Sequence, residues 1–223
     1  MAACGTAPAV KVEVSSATDA ATAGLVDVAS LARGVQLDMR YAGTTNFTGA
    51  RVPGYEANTC LLLAPVAQAL AKVQADVQRE GLSLKLFDCY RPVQSVKHFV
   101  AWARDTSDQR TKSAFYPNVE KAKLLDGYIA ETSGHSRGAT LDLTLTRCER
   151  GACVDLDMGT SFDFFDARAN TAHTDLSPTQ KANRARLVET MARHGFHNYP
   201  MEWWHFTFRP EPSPQTAYDV PIR

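Results

Sequence analysis

The chain has 223 residues, a length typical of one or two domains and sufficient to bury a substantial hydrophobic core. Its 24 lysines and arginines balance its 24 aspartates and glutamates, and this zero net charge argues against a general nucleic-acid-binding protein or a binder of anionic membranes, because both need a basic excess. With 44% hydrophobic and 22% charged residues, the composition is that of a globular protein, and its apolar runs are too short for a membrane-spanning helix.

The predicted elements follow an N-terminal segment, residues 1–24, whose Ala, Thr, Ser and Val content predicts a flexible tether before a domain at 25–223. Apolar spacing then predicts a strand at 35–39, a loop at 44–55, a helix at 65–80, a strand at 82–90 and a helix at 92–104. It continues with a loop at 105–118, an ambiguous segment at 120–129, a strand at 139–146, a loop at 158–174, a helix at 177–194 and a strand at 203–208. Short strands interleaved with helices indicate an α+β fold, a single domain with a small, mostly antiparallel sheet flanked by helices.

The cysteines number five, and no Cys-x-x-Cys motif is present, which argues against a cysteine zinc ribbon or a thioredoxin-like motif. Cys148 and Cys153 flank a short Gly-containing segment that can close as a disulfide loop. Cys60 and Cys89 would then pair by elimination, although four cysteines allow three pairings. Five buried thiols in a cytoplasmic enzyme are the alternative.

Cys4 follows small residues, as at the end of a bacterial lipoprotein signal, and this predicts a lipid anchor at Cys4. Four cysteines would then remain for disulfides in an oxidising compartment, so we expect a periplasmic protein. No charged or apolar leader precedes Cys4, so the rest of such a signal would lie outside this sequence. The alternative is a cloning remnant before a disordered N-terminus, and with it a cytoplasmic protein.

Two segments carry candidate metal chemistry: His135 and Asp142 lie in the first, and Glu202 and His205 in the second. Two imidazole nitrogens and one carboxylate oxygen suit Zn²⁺ and leave its fourth tetrahedral position open for water, with Glu202 as a base. His135 and Asp142 are seven residues apart, so they would face opposite sides of one unbroken strand. Gly138 allows the chain to bend between them, which predicts a zinc site at the sheet.

The pattern Ser-x-His-x-x-Gly-x-x-x-Asp, followed downstream by Glu-x-x-His, resembles the VanX-type D-alanyl-D-alanine dipeptidases. That family belongs to the zinc D-Ala-D-Ala peptidases, which share a fold with lysostaphin-type peptidases and the hedgehog signalling domain. The resemblance extends from about residue 26 to residue 223. It rests on five segments in the same order: 41–55, 88–92, the His135 segment, 158–163 and 202–205.

The resemblance implies His135, Asp142 and His205 as ligands of one zinc ion per chain. It implies Glu202 as the general base, and later as the proton donor to the leaving amine. Arg91 would stabilise the oxyanion that develops on the scissile carbonyl. A structural salt bridge from Arg91 to Asp88 or to Glu80 is the alternative for this arginine.

The resemblance also implies that Ser133, Tyr41, Tyr55 and Asp163 bind the charged ends of a free dipeptide. The two tyrosines could equally be packing residues, and 158–163 could be an ordinary turn. The sequence departs from the family pattern at Gly134, where relatives often carry a second serine, and at the Cys148–Cys153 segment.

The expected function is therefore zinc-dependent hydrolysis of the D-alanyl-D-alanine dipeptide to two D-alanines. Its partner would be a small D,D-dipeptide, with no nucleic acid, and the oligomeric state is not indicated. A D,D-carboxypeptidase or murein endopeptidase on the same fold is the first alternative. A non-catalytic zinc or cell-wall-binding module is the second, although a purely structural zinc site has no need of a free base such as Glu202.

Overall fold

The computed structural model describes residues 12–150 and 152–223. Its strands are β1 (Glu13–Val14), β2 (Leu25–Asp27), β3 (Gln36–Leu37), β4 (Leu61–Leu63), β5 (Leu82–Asp88), β6 (Thr140–Glu149), β7 (Ala152–Asp155), β8 (Phe196–Asn198), β9 (His205–Phe208) and β10 (Thr216–Ala217). Its α-helices are α1 (Ala64–Arg79), α2 (Val93–Arg104), α3 (Lys112–Phe115) and α4 (Pro178–Ala192).

The main sheet has six strands in the order β3-β5-β6-β9-β8, and β7 pairs with the far end of β6. β3 runs parallel to β5, whereas the other pairings are antiparallel. The parallel pair arises because the chain leaves β3, passes through β4 and α1, and re-enters the sheet in the same direction. The α+β prediction is thus confirmed, and the sheet is mixed, with four of its five strand pairings antiparallel as expected and one parallel.

The three long helices form where the sequence predicts them. Pro65 lies in the first turn of α1, and Gly81 follows its end, as the prediction required. Ser177 caps α4 through a capping box with Gln180, in which each side chain bonds the other residue's backbone amide. α1 packs on β5 through one apolar stripe, which contributes Val66, Leu70, Val73 and Val77 to the core.

Strand β6 lies at the centre of the sheet, and its first seven residues are buried on both faces. Leu141, Leu143 and Leu145 alternate along the strand with polar residues, yet neighbouring elements cover both of its faces. Leu143 and Leu145 pair with Leu86 and Leu84 of β5. Asp142 is only 2% exposed, so β6 places a carboxylate inside the protein.

The N-terminal tether prediction needs correction over its described part. Residues 1–11, including Cys4, lie outside the described residues. Residues 12–24 do not form a free tether: β1 pairs in parallel with β10, and Ala23 is buried. The reason is long-range pairing with the C-terminal segment, which composition alone cannot reveal.

Both expected disulfides are present: Cys60 bonds Cys89, and Cys148 bonds Cys153. The first joins two buried segments, with the two Cα atoms 5.4 Å apart. The second lies across the β6–β7 hairpin, where the two cysteines are register partners. Within the described part of the chain, no helix is both long and apolar enough to cross a membrane.

Gly138 combines a left-handed φ of +69° with close packing, and we expect Gly138→Ala to destabilise the fold. A Cβ atom there would lie 2.9 Å from Leu25 Cδ2 and 3.1 Å from Leu63 Cγ. Gly81 is a matched control, because its φ is +72° and a Cβ atom would meet nothing within 4 Å. We expect Gly81→Ala to cost about 1–2 kcal/mol from backbone strain. Gly138→Ala should cost roughly 1–3 kcal/mol more from overpacking.

Urea unfolding of the two glycine variants and the wild type measures these free energies. Equal destabilisation by the two variants would contradict the packing argument and leave backbone strain as the sole effect.

Candidate metal centre and its cavity

His135 is placed by a short 3-10 helix, residues Gly134–Arg137, immediately before β6. The Ser133 hydroxyl caps this turn by accepting a hydrogen bond from the His135 amide, at 3.2 Å. Gly138 then adopts its left-handed conformation and reverses the chain into β6. The bend expected at Gly138 is therefore what brings His135 back to the strand that carries Asp142.

Asp142 and His205 are register partners on the neighbouring strands β6 and β9. His205 Nδ1 lies 3.1 Å from Asp142 Oδ1. His135 Nε2 lies 3.4 Å from the same oxygen and 3.3 Å from His205 Nδ1. The three predicted ligands thus converge, with one potential donor atom from each within 4.8 Å of the others.

A hydrogen bond to a backbone carbonyl orients the His135 ring. Its Nδ1 lies 2.7 Å from the carbonyl oxygen of Cys89, which can only accept a hydrogen bond. Nδ1 therefore carries the proton, and the lone pair of Nε2 faces the cluster. Backbone support of this kind is usual behind histidines that ligate metals.

The chemistry of the cluster fits a metal ion. Asp142 Oδ1 is buried and accepts no well-formed hydrogen bond from any described residue, although both imidazoles approach it. Burial by itself raises the pKa of Asp142, but His135 and His205 outweigh it and hold that pKa below its ordinary value. An ionised carboxylate between two imidazoles offers one oxygen and two nitrogens, a donor set that zinc accepts.

Glu202 lies beside the cluster in the turn before β9, and its Oε2 atom is 3.5 Å from His205 Nδ1. Its amide donates to the Tyr199 carbonyl, which fixes the turn. Burial is the main cause that raises the pKa of Glu202 to about 7; Asp142 adds to this, while His205 and Arg91 oppose it. The carboxylate thus lies close to the donor atom of His205 and is not a member of the three-residue cluster.

Arg91 makes the salt bridge to Asp88 that the sequence left as an alternative, and it also lines the cavity. Its Nε and Nη2 atoms lie 2.9 and 2.8 Å from Asp88 Oδ2. Nη2 is also 3.8 Å from Asp142 Oδ2, and the guanidinium lies over the rings of Tyr41 and Phe99. The bridge to Asp88 therefore holds a permanent positive charge at the metal centre.

Tyr55 lies behind Arg91, outside the residues that line the cavity. It is fully buried, and its hydroxyl donates to Asp88 Oδ1 at 2.6 Å. The prediction that Tyr55 contacts a substrate therefore needs correction. The one proton of its hydroxyl is used in the hydrogen bond to Asp88, whose carboxylate holds Arg91.

Tyr41 and Asp163 meet inside the cavity, where the Tyr41 hydroxyl donates to Asp163 Oδ2 at 2.9 Å. Asp163 is only 4% exposed and has a φ of +58°, unusual for a residue other than glycine. Burial is the largest cause that raises the pKa of Asp163 well above its ordinary value, and the nearby Asp142 carboxylate adds to it. A buried acidic group thus lines the cavity.

These groups surround one cavity of about 220 Å³. The predicted site residues that line it are Tyr41, Arg91, Ser133, His135, Asp142, Asp163, Glu202 and His205. The sequence missed the aromatic lining residues Phe99, Tyr128 and Tyr199, whose spacing carries no chemical signal. At Gly134, where the sequence departs from the family pattern, a Cβ atom would lie 2.8 Å from Thr140 Oγ1, so a serine there would need Thr140 to move.

Comparisons with known proteins give matches over most of the chain. A family model described as D-ala-D-ala dipeptidase matches residues 21–223. A D-alanyl-D-alanine dipeptidase of Enterococcus faecium is 38% identical over 201 residues, which are 90% of this chain and 98% of that protein. One from Streptomyces coelicolor is 40% identical over 196 residues, covering 87% and 96% of the two chains. One from Escherichia coli is 33% identical over 188 residues, covering 83% and 84%.

Proposed function

The chain belongs to the D-Ala-D-Ala dipeptidase family, and from this we propose that it hydrolyses the D-alanyl-D-alanine dipeptide to two D-alanines. One observation carries the proposal: a free carboxylate and a fixed guanidinium flank a three-ligand metal centre in the same cavity. A structural metal site would need neither Glu202 nor Arg91. This arrangement therefore favours an enzyme over a non-catalytic binding module.

The proposed cofactor is one zinc ion per chain, held by His135 Nε2, Asp142 Oδ1 and His205 Nδ1. When bound, zinc polarises the scissile carbonyl and lowers the pKa of water toward about 7. Three protein ligands are the number found in catalytic zinc sites, which keep a position open. Side chains of the protein would supply proton transfer, oxyanion stabilisation and substrate binding.

Glu202 is the proposed general base, because its carboxylate lies beside the His205 ligand atom and carries no other assigned role. It would accept the proton of the attacking water and later donate it to the leaving amine. Arg91 is the proposed oxyanion partner, since its charge cannot be lost near neutral pH and its fork is held by Asp88.

The two ends of a free dipeptide need opposite partners. Asp163 is the proposed partner of the ammonium end, and a bound cation would favour its ionised form, which burial opposes in the free protein. Ser133 is the proposed partner of the carboxylate end, and Tyr41 would orient Asp163 through its hydroxyl. Tyr55 acts indirectly: its hydroxyl donates a hydrogen bond to Asp88, and Asp88 holds Arg91.

A comparison of two substrates tests the proposal. We expect the purified protein to hydrolyse free D-Ala-D-Ala much faster than an N-acylated peptide ending in D-Ala-D-Ala. The reason is that acylation removes the ammonium that Asp163 would bind and adds bulk inside a small cavity. Faster cleavage of the acylated substrate would instead indicate the D,D-carboxypeptidase or endopeptidase alternative.

We also propose that the protein works in an oxidising compartment, the bacterial periplasm. Two disulfides support this, because such bonds persist mainly outside the reducing cytoplasm. Thiol counting on protein isolated from its native cells, under denaturing conditions, tests the location. Four or five free thiols per chain would point to the cytoplasm. A lipid anchor at Cys4 remains a proposal of the sequence alone, and mass spectrometry of the mature N-terminus tests it.

A further inference from the structure

The disulfide Cys60–Cys89 lies directly behind the metal centre, although it is not part of the proposed reaction. Cys89 follows Asp88, and its carbonyl oxygen accepts the hydrogen bond from His135 Nδ1. Both cysteines are almost completely buried, at 0% and 1% exposure. The disulfide therefore ties the backbone that orients a ligand ring to a second segment of the chain.

The Cys89 carbonyl is not held by the sheet. β5 ends at Asp88, and its register with β6 shifts between Leu86 and Asp88. Beyond that point two restraints come from the segment around β4. The amide of Tyr90 donates to the Leu61 carbonyl at 2.9 Å, and Cys89 is bonded to Cys60.

The same segment also supports the other side of His135. The Leu63 amide donates to the Gly138 carbonyl at 2.9 Å, at the end of the 3-10 turn that carries His135. β4 thus contacts both the backbone that carries this histidine and the segment whose carbonyl orients its ring. The covalent bond from Cys60 keeps these two supports in one fixed relation.

The second disulfide offers an internal comparison. Cys148–Cys153 closes the exposed β6–β7 hairpin, whose strands already pair at that position. Cys148 lies six residues beyond Asp142 on β6, which is about 20 Å along a strand. This bond therefore lies far from the metal centre, whereas Cys89 of the other bond contacts His135 directly.

We propose that the Cys60–Cys89 disulfide is a positioning element for His135, which fixes the Cys89 carbonyl so that Nε2 presents its lone pair to the metal ion. The inference rests on the proposed function for the assignment of His135 as a ligand. Losing an orienting partner of a metal ligand typically costs 10–100-fold in metal affinity. Opening this bond should therefore weaken metal binding by about that factor in a protein that stays folded.

Zinc dissociation constants, measured by competition with a chromogenic chelator, test the proposal. The variants are Cys60→Ala/Cys89→Ala and, as the matched control, Cys148→Ala/Cys153→Ala, with circular dichroism to verify folding. We expect the first to bind zinc roughly 10–100-fold more weakly than the wild type and the control to match the wild type. A folded first variant with wild-type affinity, or equal weakening in both variants, would overturn the proposal.

Graded reduction of the wild-type protein covers the case in which the first variant does not fold. A phosphine gives two electrons to the S–S bond and becomes its oxide, while water supplies the oxygen and the protons of the two thiols. Alkylation and mass spectrometry then locate the opened bond. In the presence of a chelator that competes evenly with the wild-type site, zinc release should follow alkylation at Cys60 and Cys89. Retention of zinc after these two are alkylated, or its release when only the hairpin bond is open, would contradict the proposal.

These readouts separate the inference from the function. Tight zinc binding without dipeptide hydrolysis in the wild type would refute the proposed function and leave the inference standing. Wild-type zinc affinity in a folded Cys60→Ala/Cys89→Ala variant that still hydrolyses the dipeptide would refute the inference and leave the proposed function standing.

Discussion

Glu202→Gln should lower kcat for D-Ala-D-Ala by about 10²–10⁴-fold, the usual contribution of general acid–base catalysis. The substitution preserves the shape of the side chain but removes its capacity to accept a proton. Glu202 is not one of the three converging donor groups, so zinc content should remain that of the wild type. The measurement pairs steady-state kinetics with metal analysis of the same sample.

Glu131→Gln is the matched control, because it makes the same chemical change at an exposed glutamate paired with Arg104 on the surface. It should leave kcat unchanged. Loss of zinc in Glu202→Gln would mean that Glu202 is a ligand, and full activity with full zinc would eliminate it as the base.

Asp142→Asn should weaken zinc binding by more than about 100-fold, since even loss of an indirect partner costs 10–100-fold. The carboxylate is buried between two imidazoles, and an amide supplies neither its charge nor its affinity for the metal. Activity at limiting zinc should fall in proportion, and added zinc should restore part of it. A chelator competition assay with a parallel zinc titration of activity measures both effects.

Asp155→Asn on β7 is the control, because Asp155 lies in the same sheet but is exposed and pairs with Lys85. It should bind zinc as the wild type does. Unchanged zinc affinity in Asp142→Asn would remove Asp142 from the ligand set.

The convergence of His135, Asp142 and His205 could be predicted from sequence, because their residue types suit a metal ion and the family resemblance pointed to the same three residues. An aspartate between leucines on a strand requires a partner, and Gly138 supplied the bend that spacing demanded. The long helices were predictable for a similar reason, since their periodicity and end signals are local. The hairpin β6–β7 and the short strand β8 were not predicted, because their segments are short and polar or lack an alternating pattern.

The contacts behind the site could not be predicted. Tyr55 donates to Asp88, and Asp88 holds Arg91, but these residues are separated by up to 36 positions in the sequence. The pairing of β1 with β10 is a contact between opposite ends of the described chain. Such relations depend on tertiary packing, which residue types and spacing do not encode locally.

Zinc titration of chelator-stripped protein, followed by hydrolysis of free D-Ala-D-Ala, tests directly whether this protein is a zinc-dependent dipeptidase. We expect negligible activity without metal, a linear rise with added zinc and a plateau at about one ion per chain, the number that a single three-ligand site holds. Full hydrolysis by the metal-free protein would contradict a zinc-dependent reaction. So would a fully zinc-loaded protein that leaves the free dipeptide intact.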